Sequence, residues 1–305
     1  MPSQMENYRR YLDPKVLDKL GRLELKARQA VEGFMAGLHR SPHRGASVEF
    51  AEHREYVPGD DLRHLDWRMY GRSDRFYIKR YEEETNLTLS LVLDVSESMS
   101  YAGEGQVTKF NYGAMVAATL AYMVLRNRDA AALALTDTLL TTWVPPATKP
   151  SHLLAITSAI EKARLTQQTD AGLVLTELAS KLPPRSLVVL ISDLFADPDR
   201  ILAGIRTLKS RRQDVIVFNV LDRDELEFPF ERMLKFEGLE GLGDLVADPK
   251  ALRQAYLQVF AEHQTKLRKG CLGNGVDFQV LQTDTPLDVA LTAYLALRAK
   301  RGTRR

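Results

Sequence analysis

Three nearly uninterrupted apolar runs constrain this chain more than any other feature. Leu89 to Leu93 (ending at Asp94), Ser186 to Ile191 and Val215 to Val220 each have the length of one strand. None alternates regularly with polar residues, so each has to be covered on both faces. Between and after them the apolar residues recur at helical spacing, as in Leu175, Leu178, Ala179 and Leu182, or Ile201, Leu202, Ile205 and Leu208. Strands alternating with such helices imply an α/β fold, a mostly parallel Rossmann-like sheet with helices on both faces.

The remaining segments fit around that core. Asp13-Pro14 is a helix start, and Leu20, Leu23, Ala27, Val31, Phe34 and Leu38 continue it. The stretch from His39 to Gly45 breaks the helix and is basic. Val48 to Tyr81 is charged and irregular, with a Pro58-Gly59 turn and one alternating stretch, Phe76 to Tyr81. A buried helix starts near Thr108, and two short strands, Ala131 to Thr136 and Leu139 to Val144, meet at Asp137-Thr138. Pro145, Pro146 and Pro150 then read as a loop. A long helix spans Pro249 to about Lys269 and is ended by Gly270 and Gly273, and a last strand, Val276 to Leu281, leads to a last helix. The boundary falls near residue 85: residues 1–85 form an N-terminal helix and an irregular segment, and residues 86–305 form the α/β domain.

Composition narrows the function. The chain has 305 residues, 45% of them hydrophobic and 27% charged, with a net charge of +2, which excludes disorder and a surface built wholly for nucleic acid. A single cysteine, Cys271, excludes an internal disulfide and a thiolate zinc cluster, and an inert thiol is expected there. The polar N-terminus has no signal-peptide core, and no apolar run approaches the ~20 residues of a membrane helix, so a cytoplasmic protein without membrane insertion is expected.

The residues that carry chemistry are Asp94-Val95-Ser96-Glu97-Ser98, at the carboxyl end of the first apolar strand. Ligands in open α/β sheets bind beyond those strand ends. One carboxylate and two hydroxyls at alternate positions of a turning loop supply hard oxygen donors of modest total charge, which suits Mg²⁺ or Mn²⁺. Thr169-Asp170 and Ser192-Asp193 could complete the shell if their strand neighbours the first. Turn and cap roles account for such residues equally well when the motif is taken alone.

The order Asp94, Ser96, Ser98, then Thr169, then Asp193 resembles the metal-ion-dependent adhesion site of von Willebrand factor type A domains. The segment Arg54-Glu55-Tyr56-Val57-Pro58-Gly59-Asp60-Asp61-Leu62-Arg63-His64-Leu65-Asp66-Trp67, with Tyr81-Glu82-Glu83-Glu84 and Pro286-Leu287-Asp288, is similar to the signature of the bacterial domain-of-unknown-function family 58. This chain resembles the family's short soluble subgroup. The resemblance implies a type A fold, metal held by Asp94, Ser96 and Ser98, and an outer role for Thr169 and Asp193. It also implies a MoxR-type AAA+ ATPase as partner, in assembling or activating a client complex. Gln167-Gln168 and Leu194 stand where many type A domains have glycine.

The reading is therefore a non-enzymatic adaptor that offers Mg²⁺ to an acidic residue of a partner. A second reading keeps the fold but binds partners through residues 54–67 without metal. There Pro58, Gly59, Asp60, Asp61, Arg63, Asp66 and Trp67 form either a docking surface or a structural turn, the latter burying the Trp67 ring against the type A domain. A third reading, an unrecognised phosphoester hydrolase, lacks support: Ser96 occupies the position of the second Asp that a dehalogenase-type phosphatase needs. No nucleophile elbow or phosphate loop is present, and Gly238, Gly241 and Gly243 read as a loop. His39 and His43 have the spacing of one helix face, but Pro42 and Gly45 argue against a helix there, so zinc is not expected, and His263 reads as an ordinary partly buried residue. The basic sites, such as Arg211-Arg212 and Lys300 to Arg305, come with no recognition motif for nucleic acid.

Overall fold

A computed structural model of the chain describes residues 48–57, 65–83, 87–104, 106–137, 140–165, 171–183, 185–231, 234–236 and 245–302. The helix from Asp13, the basic segment from His39, Gly238 to Gly243, Thr169, and the turn Pro58-Gly59-Asp60-Asp61 with Arg63 lie outside these residues. No helix among the described residues is long and apolar enough to cross a membrane.

Two compact units meet in sequence between Asn86 and Leu87. In the first, strand β1 (Val48–Glu55) pairs antiparallel with β2 (Tyr77–Glu83), and helix α1 (Trp67–Ser73) lies between them in sequence. The sequence reading of an irregular segment missed β1. Its residues, Val-Glu-Phe-Ala-Glu-His-Arg-Glu, carry too few apolar side chains to print a period of two. Asp66 caps α1, its Oδ1 accepting from the N–H groups of Arg68 (2.9 Å) and Met69 (3.2 Å). The Trp67 ring, which the structural-turn reading buries and the docking reading leaves open, is 67% exposed and stands edge-on to Tyr70. As the first residue of a short helix, Trp67 follows the buried cap Asp66 and points away from it.

The second unit holds a six-stranded sheet in the order β10-β7-β6-β3-β4-β5. Its strands are β3 (Thr88–Asp94), β4 (Ala130–Thr136), β5 (Leu140–Ala147), β6 (Leu187–Ser192), β7 (Asp214–Leu221) and β10 (Asp277–Gln282). All neighbouring pairs are parallel except β4 with β5. This is the α/β fold with a mostly parallel sheet that the apolar runs demand. The intervening helices are α2 (Lys109–Arg126), α3 (His152–Glu161), α4 (Ala171–Lys181), α5 (Pro198–Ser210), α6 (Arg223–Glu227), α7 (Pro249–Gly273) and α8 (Leu287–Gly302). A small hairpin, β8 (Leu234–Phe236) with β9 (Leu245–Ala247), precedes α7.

Alternate residues of each strand feed two cores. Val92, Ala134, Val188, Leu190, Val215 and Val217 pack with Leu178, Ile201, Ile205, Leu267 and Cys271 of α4, α5 and α7. On the opposite face α2 comes so close that a Cβ at Gly113 would lie 3.0 Å from side chains of both Ile191 and Leu93. Cys271 is buried, which pushes its thiol up to about 11, as befits an unreactive core residue.

Two boundaries differ from the sequence reading. Helix α7 runs through Gly270 to Gly273, because Gly270 sits where a Cβ would collide with Leu202 of α5. Pro145 and Pro146 do not end β5 but lie inside it, where the register with β4 shifts. An edge strand tolerates proline because one side of its backbone needs no partner.

Candidate functional site

The sheet order creates the site. From β3 the chain steps to β4 and β5 on one side, then crosses to β6 on the other. That reversal opens a crevice beyond the carboxyl ends of β3 and β6, the usual ligand position in such sheets. Asp94 ends β3, and Ser192 and Asp193 end β6, so both acidic residues arrive there side by side.

Asp94 is buried, and its Oδ1 accepts from the Ser96 N–H at 2.8 Å. Its Oδ2 accepts from the Ser192 hydroxyl at 2.5 Å. Among the described residues no cationic side chain pairs with it. Burial, then the nearby Asp193 charge, raise its pKa to about 7, against the lowering effect of the Ser192 and Ser96 hydrogen bonds. The Ser96 and Ser98 hydroxyls lie 3.0 Å apart at the start of the single turn Glu97–Ser100. The structure thus brings Asp94, Ser96, Ser98 and Asp193 into one cluster.

The donor set fits a small hard cation. A carboxylate whose pKa is raised by burial and by the neighbouring Asp193, with two hydroxyl oxygens beside it, is an environment that Mg²⁺ relieves. Ser96 is buried while Ser98 is partly open, so the hydroxyl side faces outward. Among the described residues no three His, Cys, Asp or Glu side chains converge as a metal cage; the donors here are carboxylates and hydroxyls.

Asp193 has a partner that the sequence reading missed. The Lys109 ammonium, 1% exposed, donates to Asp193 Oδ2 at 2.7 Å and to Glu225 Oε1 at 2.6 Å. Burial alone would lower its pKa, but Asp193 and then Glu225 outweigh that and hold it above the ordinary lysine value. Burial raises the Glu225 pKa against the opposing pull of Lys109. Asp193 Oδ1 accepts from the Phe195 N–H at 3.2 Å, so both of its oxygens are engaged. Lys109 opens α2, just after its cap Thr108. A cation there opposes the helix dipole and needs nearby carboxylates, which was the one sequence signal available.

Glu225 belongs to a second ring of contacts. It closes a capping box with Asp222, whose backbone N–H donates to Glu225 Oε2 at 2.8 Å. Asp222 Oδ2 accepts from the Gly103 N–H (3.1 Å) and from the Thr283 hydroxyl (2.9 Å). The Tyr101 hydroxyl donates to Asp224 at 2.8 Å. Gly103 has no room for a side chain: a Cβ would lie 2.9 Å from Asp222 Oδ1. These bonds tie the loop carrying Ser96 and Ser98 to the ends of β7 and β10.

Beyond Asp193 the chain turns at Leu194, which has a φ of 55° although it is not glycine. The backbone thus adopts the left-handed conformation that favours glycine, while the Leu194 side chain is buried in the core beside α5. Its N–H donates to the Ser192 hydroxyl (2.9 Å), and its carbonyl lies 3.1 Å from His263 Nε2. His263 therefore does more than fill space.

The sequence pattern of the family described as protein of unknown function DUF58 matches residues 52–266. The chain belongs to this family. An uncharacterized protein of Mycobacterium bovis is 25% identical over 293 residues, covering 94% of this chain and 91% of that protein, and one of Mycobacterium tuberculosis gives the same figures. Among solved structures, BatB of Bacteroides thetaiotaomicron is 14% identical with a TM-score of 0.46, covering 70% of this chain and 99% of that one. The SpRpn10 VWA domain is 11% identical with a TM-score of 0.38, covering 69% and 95%. This DUF58 chain carries an α/β fold with a mostly parallel six-stranded sheet.

Proposed function

We propose that this DUF58 protein is a non-enzymatic adaptor that presents a divalent cation, Mg²⁺, to an acidic residue of a partner protein. The observation that carries the reading is the convergence of the buried Asp94 carboxylate with the Ser96 and Ser98 hydroxyls at the switch point of the sheet. Asp94, Ser96 and Ser98 would hold the ion directly. Asp193, with both oxygens engaged, would act through water, and the resemblance has Thr169 bind directly or through water. Bound there, the ion supplies a positive centre that a partner's carboxylate can complete. The partner in this reading, taken from the family resemblance, is a MoxR-type AAA+ ATPase acting on a client complex in the cytoplasm.

Tagged protein purified with Mg²⁺ and again with a chelator tests this. An AAA+ ATPase retained only with Mg²⁺, and lost from a folded Asp94→Ala variant, is the expected result. Retention of that ATPase by Asp94→Ala at unchanged affinity sinks the metal bridge. It would favour the second reading, in which residues 54–67 bind without metal; the 67% exposure of Trp67 is what recommends it.

A further inference from the structure

We infer that Phe195 forms an apolar contact beside the metal-held carboxylate, so that the partner segment carries an acidic residue flanked by a large apolar side chain. This rests on the metal-bridge reading of the site. Single exposed apolar residues are ordinary on protein surfaces. Phe195 differs in how it is held. Its side chain is 55% exposed, directly after the turn that ends β6. The turn is fixed on three sides: the Ser192 hydroxyl receives the Leu194 N–H, Asp193 Oδ1 receives the Phe195 N–H, and His263 bonds the Leu194 carbonyl. The buried Leu194 side chain anchors it from below, at the expense of a left-handed backbone. The His263 ring stands 6.3 Å from the Phe195 ring.

The result is an aromatic side chain on a fixed stretch of backbone, two residues from Asp193 and on the rim of an anion-seeking site. A side chain on pre-ordered backbone loses less freedom on binding, and buried aromatic anchors dominate interface energetics. The loop from Ser98 to Lys109 adds Val107, 41% exposed, on the same edge of the sheet. A cation beside apolar surface is complementary to an acidic residue with an apolar neighbour, and to neither chemistry alone.

Random peptides displayed on phage, panned on the full chain with Mg²⁺ and with a chelator, test the inference. With Mg²⁺ the wild-type protein is expected to enrich Asp or Glu with Leu, Ile, Met, Phe or Trp within two residues. Phe195→Ala should keep the acidic preference, lose the apolar one, and bind the wild-type peptides about tenfold more weakly. Its melting temperature and Mg²⁺ affinity should stay unchanged, because the ring is exposed and is not a ligand. Acidic peptides without an apolar neighbour, or the same profile from Phe195→Ala, overturn the role of Phe195 and leave the metal reading intact. Equal selection with Mg²⁺ and chelator overturns the metal reading itself, and this inference with it.

Discussion

The two ends of the central sheet are built on opposite electrostatic plans. At the carboxyl end, Asp94, Asp193, Asp222 and Glu225 are drawn inward, and one buried lysine, Lys109, bridges two of them. At the amino end the charges stay nearer to water, even where Arg298 pairs with Asp214 and Asp277. Helices there give way to strands through left-handed residues: Arg128 before β4, Arg185 before β6 and Arg212 before β7. All three arginines are exposed. Arg128 and Arg212 lie two residues past helix C-termini, where a cation is favoured by about 0.3–1 kcal/mol. That offsets much of the roughly 1–2 kcal/mol that a left-handed backbone costs a residue with a side chain. The amino end thus balances small local terms. The carboxyl end keeps an ionic cluster in the interior, which ordinary folding does not require.

Removing the cation at each end measures the difference. Lys109→Met should lower unfolding free energy by about 3–5 kcal/mol in urea titrations, because it strands two buried carboxylates. Adding Glu225→Gln should recover part of that loss. At the amino end Arg298 joins Asp214 (2.8 Å) and Asp277 (3.0 Å) while 14% exposed. Arg298→Met should cost less, about 2 kcal/mol, since water reaches that pair. Equal losses would erase the contrast.

The left-handed residues sharpen it further. Leu194 at the carboxyl end combines φ 55° with a side chain that is only 1% exposed. Leu194→Gly should relieve the backbone yet lose the packing, for a net loss of about 2–3 kcal/mol by the same titration.

Asp129 supplies a pH-dependent case. It caps the Leu87 N–H at 3.1 Å beside the amino end of β3, and burial raises its pKa to about 6. The folded state therefore holds this proton more tightly than the unfolded one. Its contribution is full below about 4, the usual range of a free aspartate, and is lost as pH rises through 6. Asp129→Asn keeps the acceptor without the charge. It should match wild type at pH 4 and exceed it by about 1 kcal/mol at pH 8, a figure discounted for the group's partial exposure. A variant less stable at pH 8 would reverse the sign. The smallest effect belongs to Arg212→Gly. Backbone relief there is offset by the lost dipole contact and a freer unfolded chain, leaving less than about 0.5 kcal/mol.

The sheet was legible because strands covered on both faces must be apolar throughout, as Leu187 to Ile191 are. Asp94, Ser96, Ser98 and Asp193 were legible because strand ends fix where a loop begins. Lys109 was not, since a lysine opening an apolar helix calls for a carboxylate nearby but does not say which one, here 84 residues later. Glu225 sits on a five-residue helix too short to show a period. Trp67 misled because a large ring reads as core unless its cap, Asp66, is recognised first. Pro145 and Pro146 misled because their meaning depends on whether the strand has a neighbour on both sides.

Those two prolines have a further consequence. An exposed sheet edge is a template on which a second chain can lay a strand, the first step toward fibres. Strand β5 is such an edge, but at Pro145 and Pro146 it has no N–H groups to offer, and its register is already broken there. The sheet therefore cannot be extended along that stretch of β5, and strand-by-strand polymerisation is closed off at that margin.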